Sequence, residues 1–207
     1  NGTNSKKFYY SQEKRDLIRN QIGVDENTIV FMTTGAVIDR NGQYDFLMWL
    51  ENLGINYQYW IVGKGPDEER IKECVDSKNI TDKVKILGYI QSDKLYEFLS
   101  AADVYAHVST TEGQAMAEIE AYATGLPTIV RSMIQNTVIG NPNDLSHYFV
   151  LDLDNPDKNS ESLLKWLNDT KKEKRKSQTG CDWKSVAAKY GEVYKTIMER
   201  MNNEIHG

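Results

Sequence analysis

Residues Val104–Arg131, VYAHVSTTEGQAMAEIEAYATGLPTIVR, hold a complete strand–turn–helix–turn–strand passage. Val104–Val108 is a short apolar run carrying β-branched and aromatic residues, the pattern of a buried strand. A polar turn through Ser109 and Glu112 follows, then a helical stretch, Gly113–Ala123, closed by Gly125 and Pro127. Thr128–Arg131 is the next strand. Two strands apolar on both faces and joined through one helix belong to a parallel sheet covered on both sides.

The same alternation runs outward in both directions. Ile29–Thr34 (IVFMTT) predicts a first strand ending at Gly35, and Gln43–Leu53 a helix with Phe46, Leu47, Leu50 and Leu53 on one face. Tyr57–Val62 is a second strand ending at Gly63. Pro66 opens the next helix, with Asp67, Glu68 and Glu69 in a first turn where negative charge suits the dipole. Val84–Leu87 is a third strand, and Ser92 is the expected N-cap of a helix from Asp93 to Ala101. A sixth strand is expected at His147–Leu153, with helices at Ser160–Asp169 and Trp183–Met201. The fold class is therefore α/β: a Rossmann-like, doubly wound parallel sheet of about six strands with helices on both faces. No repeat or low-complexity tract interrupts it.

At 207 residues and 40% hydrophobic composition, the chain suits one sizeable domain. A net charge of -5 and a pI near 5.3 argue against nucleic acid as a partner. The one basic run, Lys171–Lys176, is expected on a solvated face. Cys74 and Cys181 are far apart and have no ligand-like spacing, which fits a reducing compartment. No apolar run reaches the ~18 residues a membrane span needs. The chain is accordingly expected in the cytoplasm, either free or peripheral at the inner membrane surface. A first residue that is Asn1 rather than Met suggests part of a longer protein.

Ligands of doubly wound sheets lie beyond the carboxyl ends of the strands. The loops in question are Gly35–Gly42, Gly63–Pro66, Gly88–Gln91, Ser109–Gln114 and Arg131–Asn136. Within the fourth of these, free amides at Gln114, Ala115 and Met116 would form an anion site at the helix start, with Gly113 admitting a ligand close to the backbone. Glu120 follows Glu112 by eight residues, about 12 Å along a continuous helix. That separation suits two carboxylates touching opposite ends of one elongated, hydroxyl-rich ligand. The plainer alternative has Glu112 capping the helix and Glu120 facing water. Glu118 is expected on the solvated face, and His107 in the core or at a strand end.

EGQAMAEIEAYATGLP (Glu112–Pro127) resembles the Glu-x7-Glu signature of retaining glycosyltransferases of the GT-B fold, the group often called family 4. Glu112, Gly113, Glu120, Ala121, Ala123, Gly125 and Pro127 fall at its fixed positions. Ile61–Pro66 (IVGKGP), Val84–Ile90 (VKILGYI) and Ser100–Ser109 (SAADVYAHVS) are similar to further landmarks of that family in the same order. Asn1–Phe8 resembles its interdomain linker, and Asp182–Tyr194 its C-terminal Trp-containing helix.

The resemblance implies that residues 1–207 are the C-terminal, donor-binding domain of a two-domain enzyme whose N-terminal acceptor domain is absent. The donor would be a nucleoside-diphosphate sugar and the acceptor a carbohydrate, lipid or protein, with retention at the anomeric carbon and no obligatory metal or other cofactor. Glu112 would be the catalytic residue, contacting the transferred sugar, and Glu120 would hold the ribose. Gly35, Gly113 and the backbone of Gln114, Ala115 and Met116 would meet sugar and diphosphate, and Tyr89 and Ile90 would line the nucleobase pocket. Alone, the chain is expected to be inactive.

The family's diphosphate-gripping Arg and Lys are replaced here by Ala36 and Asn41. Each would ordinarily contribute charge-assisted hydrogen bonds of about 1.5–3 kcal/mol. Arg40, Lys64 and Arg131 are candidate substitutes. An alternative reading makes the chain a partner-binding or stabilising subunit with an eroded site. A third makes it another enzyme on this fold, such as a nucleotide-sugar epimerase or a phosphorylase relative; the phosphorylase would need a pyridoxal-phosphate lysine, for which no motif matches.

Overall fold

The computed structural model describes residues 2–113, 115–137, 146–153, 155, 159–171 and 174–206. Six parallel strands run β1 (Ile29–Thr34), β2 (Tyr57–Val62), β3 (Val84–Gly88), β4 (Val104–His107), β5 (Thr128–Arg131) and β6 (Tyr148–Leu151). Their order in the sheet is β3-β2-β1-β4-β5-β6. Chain direction across the sheet therefore reverses between β1 and β4, whose carboxyl ends flank the crevice of the fold.

Strand residues alternate between two cores, because successive side chains point to opposite faces. On one face Phe31, Tyr59, Ile61, Ala106, Ile129 and Leu151 pack with Phe46 and Leu50 of α2 (Gln43–Leu50), Ile71 of α3 (Glu68–Ser77) and Leu163 of α6 (Ser160–Thr170). On the other, Val30, Met32, Trp60 and Tyr105 pack with Leu99 of α4 (Leu95–Ala101) and with Ile119 and Ala121 of α5 (Met116–Ala123). Full burial of each large apolar side chain contributes about 1.5–3 kcal/mol.

An eleven-residue helix, α1 (Gln12–Ile22), precedes β1 and was not expected from the apolar pattern. Ile18 is its one buried residue. It is held instead by Arg15 and Arg19, which donate to Asp103 at 2.5 and 3.0 Å and to carbonyls at the end of α4. Ser11 caps its start and Gly23, at φ 77°, ends it.

Several local expectations are corrected. The second helix stops at Leu50 rather than Leu53, and α4 begins at Leu95 without a side-chain cap. Ser92 instead accepts a hydrogen bond from Lys7 Nζ at 2.6 Å. β6 is confined to Tyr148–Leu151, and α7 (Trp183–His206) runs beyond Met201. Glu118 is buried, not solvated, and accepts from the Tyr148 hydroxyl at 2.7 Å. In the basic run, Arg175 turns inward and donates to the carbonyls of Leu99, Ser100, Ala102 and Thr124 and to the Thr124 hydroxyl. Both cysteines are free and buried. Among the described residues, no helix is long and apolar enough to cross a membrane.

Candidate functional site

The carboxyl ends of β1 and β4 enclose a pocket of about 140 Å³. One wall is Thr33, Thr34, Gly35, Asn41 and Gln43; the other is Tyr105–Ser109 with Glu112 and Ala115–Ala117. The volume is well below the ~300–1,000 Å³ of a drug-sized ligand site. It suits one sugar ring or one phosphoryl group.

Close backbone approach builds the walls. A side chain on Gly42 (φ 71°) would run into the Val108 carbonyl, so glycine lets the start of α2 lie against the end of β4. Arg40 joins the same two loops through its backbone, its carbonyl accepting from the Thr110 amide at 2.8 Å. The Tyr105 and Thr34 hydroxyls lie 3.0 Å apart, tying β4 to β1 at the pocket floor. Asn41 Nδ2 and Gln43 Nε2 both donate to the Ala36 carbonyl, at 2.7 and 2.9 Å.

Two helices start at this pocket. Gln43 is the first residue of α2, and Ala115 is the N-cap of α5. Each start presents unpaired amides and the positive end of a dipole worth roughly half a charge. The pocket lining includes no lysine or arginine among the described residues. His107 is buried in β4, and its desolvation lowers its pKa to about 4, so its imidazole adds no positive charge to the pocket at pH 7.

The predicted site residues are distributed unevenly. Gly35, Glu112, Ala115 and Met116 line the pocket, while Gly113 is exposed beside it. Gln114 lies outside the described residues. Because α5 begins at Met116 rather than Gly113, the interval from Glu112 to Glu120 is not one continuous helix, and the 12 Å spacing does not apply. Glu112 does not cap α5, whose N-cap has no side-chain bond.

Glu120 is half-buried rather than facing water, and its side chain makes no hydrogen bond or ion pair to another described residue. Burial pushes its carboxyl up to about 7, against the pull of the Lys7 ammonium. Tyr89 is 72% exposed, and Ile90 packs on the edge of the second core. Arg40 and Lys64 are exposed and outside the lining, although the Lys64 chain passes over Gly88. Arg131 is not an available substitute cation: it is buried and paired with Asp45 at 3.5 Å. Among the described residues, no group of three His, Cys, Asp or Glu side chains could hold a metal ion.

Sequence reasoning missed Thr34, Tyr105, Gln43 and the pocket-wall place of His107. The 3.6-residue period put Gln43 at a helix start, but nothing local places a helix start opposite Val108.

Residues 14–183 match the family described as Glycosyl transferases group 1. The chain belongs to that family. Its relatives within it include the alpha-monoglucosyldiacylglycerol synthase of Acholeplasma laidlawii, 27% identical over 136 residues, which cover 63% of this chain and 34% of that protein. Solved structures supply similar folds. The sucrose-phosphate synthase of Thermosynechococcus elongatus superposes with a TM-score of 0.74 at 23% identity, over 96% of this chain and 52% of that one. HepE of Anabaena in complex with UDP-glucose superposes at 0.64 and 20% identity, over 81% and 48%. The group 1 domain seen here thus spans about a third of that curated relative and about half of those structures.

Proposed function

We propose that the chain is the donor-binding domain of a retaining glycosyltransferase. It would take a hexose or N-acetylhexosamine from a nucleoside-diphosphate sugar for transfer to a polysaccharide, lipid or protein acceptor. The observation that carries this reading is Glu120 together with Glu112. Two half-buried carboxylates, neither bonded to another described side chain, sit on the segment leaving β4 at the switch point. A carboxylate is an acceptor only, so both call for donors, and ligand hydroxyls supply them.

In this reading Glu112 meets the transferred sugar in the pocket, and Glu120 takes the ribose hydroxyls. The amides at the starts of α2 and α5 face the diphosphate and stabilise the charge that grows as the nucleotide departs. The β3–α4 loop at Tyr89 and Ile90 receives the base, and Lys64 and Arg40 lie in adjacent loops as longer-range charge. The name of the curated relative, a synthase, supports an active transferase over a non-enzymatic subunit. That relative's greater length supports an acceptor domain elsewhere in the full protein.

Calorimetric titration with UDP, GDP and ADP tests the reading. Saturable binding of one of them at micromolar to sub-millimolar concentration is expected. Failure of all three at millimolar concentration sinks it. Transfer to an acceptor by this chain alone would overturn the two-domain assignment.

A further inference from the structure

Gln43 is 2% exposed at the first position of α2 and lines the pocket shared by β1 and β4. Its Nε2 donates to the Ala36 carbonyl at 2.9 Å, which fixes the orientation of the amide: the reverse would set two carbonyl oxygens against each other. Its Oε1 is then buried with no hydrogen-bond partner. Buried acceptors are nearly always satisfied, so one left open in the lining of a pocket calls for a donor from outside the chain.

The chemistry of the lining decides what kind of ligand group that is. A phosphoryl oxygen is an acceptor and brings no proton to Gln43 Oε1 or to the Glu112 carboxylate. A sugar hydroxyl is donor and acceptor at once. The pocket volume of about 140 Å³ fits a single ring, and its lining carries no lysine or arginine among the described residues.

We propose that Gln43 is a sugar-recognition residue, its carboxamide oxygen accepting a hydrogen bond from a ring hydroxyl of the transferred hexose. This rests on the donor reading of the same pocket and goes further, assigning the interior of the β1–β4 pocket to the sugar and its rim, at the helix starts, to the diphosphate. A sugar epimer or deoxy analogue that withdraws that hydroxyl leaves the acceptor unmet, so Gln43 discriminates between hexoses.

The test uses the ¹⁵N-labelled chain and follows the side-chain NH₂ resonances of Gln43. The probes are UDP, GDP and ADP, then UDP-glucose, GDP-mannose and ADP-glucose, then free glucose, mannose and N-acetylglucosamine at high concentration. The expected result is that a sugar nucleotide moves the Gln43 resonances while its parent diphosphate leaves them in place. Gln43→Met should weaken that sugar nucleotide roughly three- to tenfold and its parent diphosphate less than twofold. If sugar nucleotide and diphosphate move the resonances alike, or the variant weakens both equally or neither, the assignment is overturned while the donor reading stands. If no nucleotide binds, the donor reading falls. The Gln43 assignment is then supported by a free monosaccharide that moves its resonances, and overturned if none does.

Discussion

The hydroxyls of Tyr105 on β4 and Thr34 on β1 lie 3.0 Å apart, on neighbouring strands at the reversal point of the sheet. Both residues line the pocket, so this bond holds its two walls in register. Tyr105→Phe removes the bond without opening a cavity. A loss of about 0.5–1.5 kcal/mol in urea unfolding is expected. A two- to fivefold loss of sugar-nucleotide affinity should accompany it, with the parent diphosphate affected less. Equal losses for both ligands would show that the pair does not shape the sugar pocket.

Glu120 and His107 give the stability opposite dependences on pH. Burial raises Glu120 from 4.5 to about 7, so between those values the folded chain holds more protons than the unfolded one. That contribution is fully present below the window and is lost as pH rises through it. Burial lowers His107 from 6.5 to about 4, so its contribution is present above the window and is lost as pH falls through it. Glu120→Gln should therefore be more stable than the parent above pH 7, by about 1–3 kcal/mol, and similar to it below about 4.5. Urea titrations across that range check this.

If Glu120 accepts from ribose hydroxyls, only its ionised form does so. Affinity for the cognate nucleoside diphosphate should then rise with pH up to about 7 and level off above it. Calorimetry in buffers of different ionisation heat should detect proton release on binding below that point. Glu120→Gln should weaken binding and abolish the dependence. A dependence that survives the substitution would assign it to another group.

Arg175 shows how a basic run can be structural. Its guanidinium reaches four carbonyls and one hydroxyl and stacks 4.8 Å from the Tyr10 ring centre. Burial lowers its pKa to about 9. Arg175→Met leaves those carbonyls without their donor, and a loss of about 3 kcal/mol or more is expected. Arg175→Lys should rescue little, since an ammonium cannot reproduce the planar fork. Nucleotide affinity in the folded fraction should be unchanged, because Arg175 donates to Leu99, Ser100, Ala102 and Thr124 and is absent from the lining of the β1–β4 pocket.

Gly42→Ala tests the backbone approach at the pocket wall. A Cβ there meets the Val108 carbonyl, and φ is 71°, where an L side chain itself costs about 1–2 kcal/mol. The variant should lose more than about 2 kcal/mol, or adopt a displaced loop with weakened sugar-nucleotide binding. Thermal unfolding with and without ligand separates these outcomes.

The sheet was largely legible in the sequence because buried parallel strands are short, apolar and bounded by glycine. Ile29–Thr34, Tyr57–Val62 and Thr128–Arg131 form strands at the expected residues. α1 was not legible because its apolar stripe is short, Ile18 and Ile22; the ion pairs of Arg15 and Arg19 with Asp103 complete its packing. The flanking Ser11 and Gly23 were the available signal. The segment after β4 was legible as a motif, and Glu112 does line the pocket. The places of Glu118 and Arg131 were not, since each is set by a partner distant in sequence, Tyr148 and Asp45, and the pocket place of Gln43 follows from the approach of Gly42 to Val108.

The pocket is assembled from two stretches, residues 33–43 and 105–117. Its floor depends on pairing Phe31 with Val104, more than seventy residues apart. During synthesis, β1 through β3 emerge first and leave one edge of β1 unpaired until β4 arrives. Long-range closures of this kind are slow, and an open strand edge recruits other chains in the meantime. The interval before β4 docks thus carries an aggregation risk. A ligand of this pocket cannot shorten it, because the ligand has nothing to bind until that step is complete.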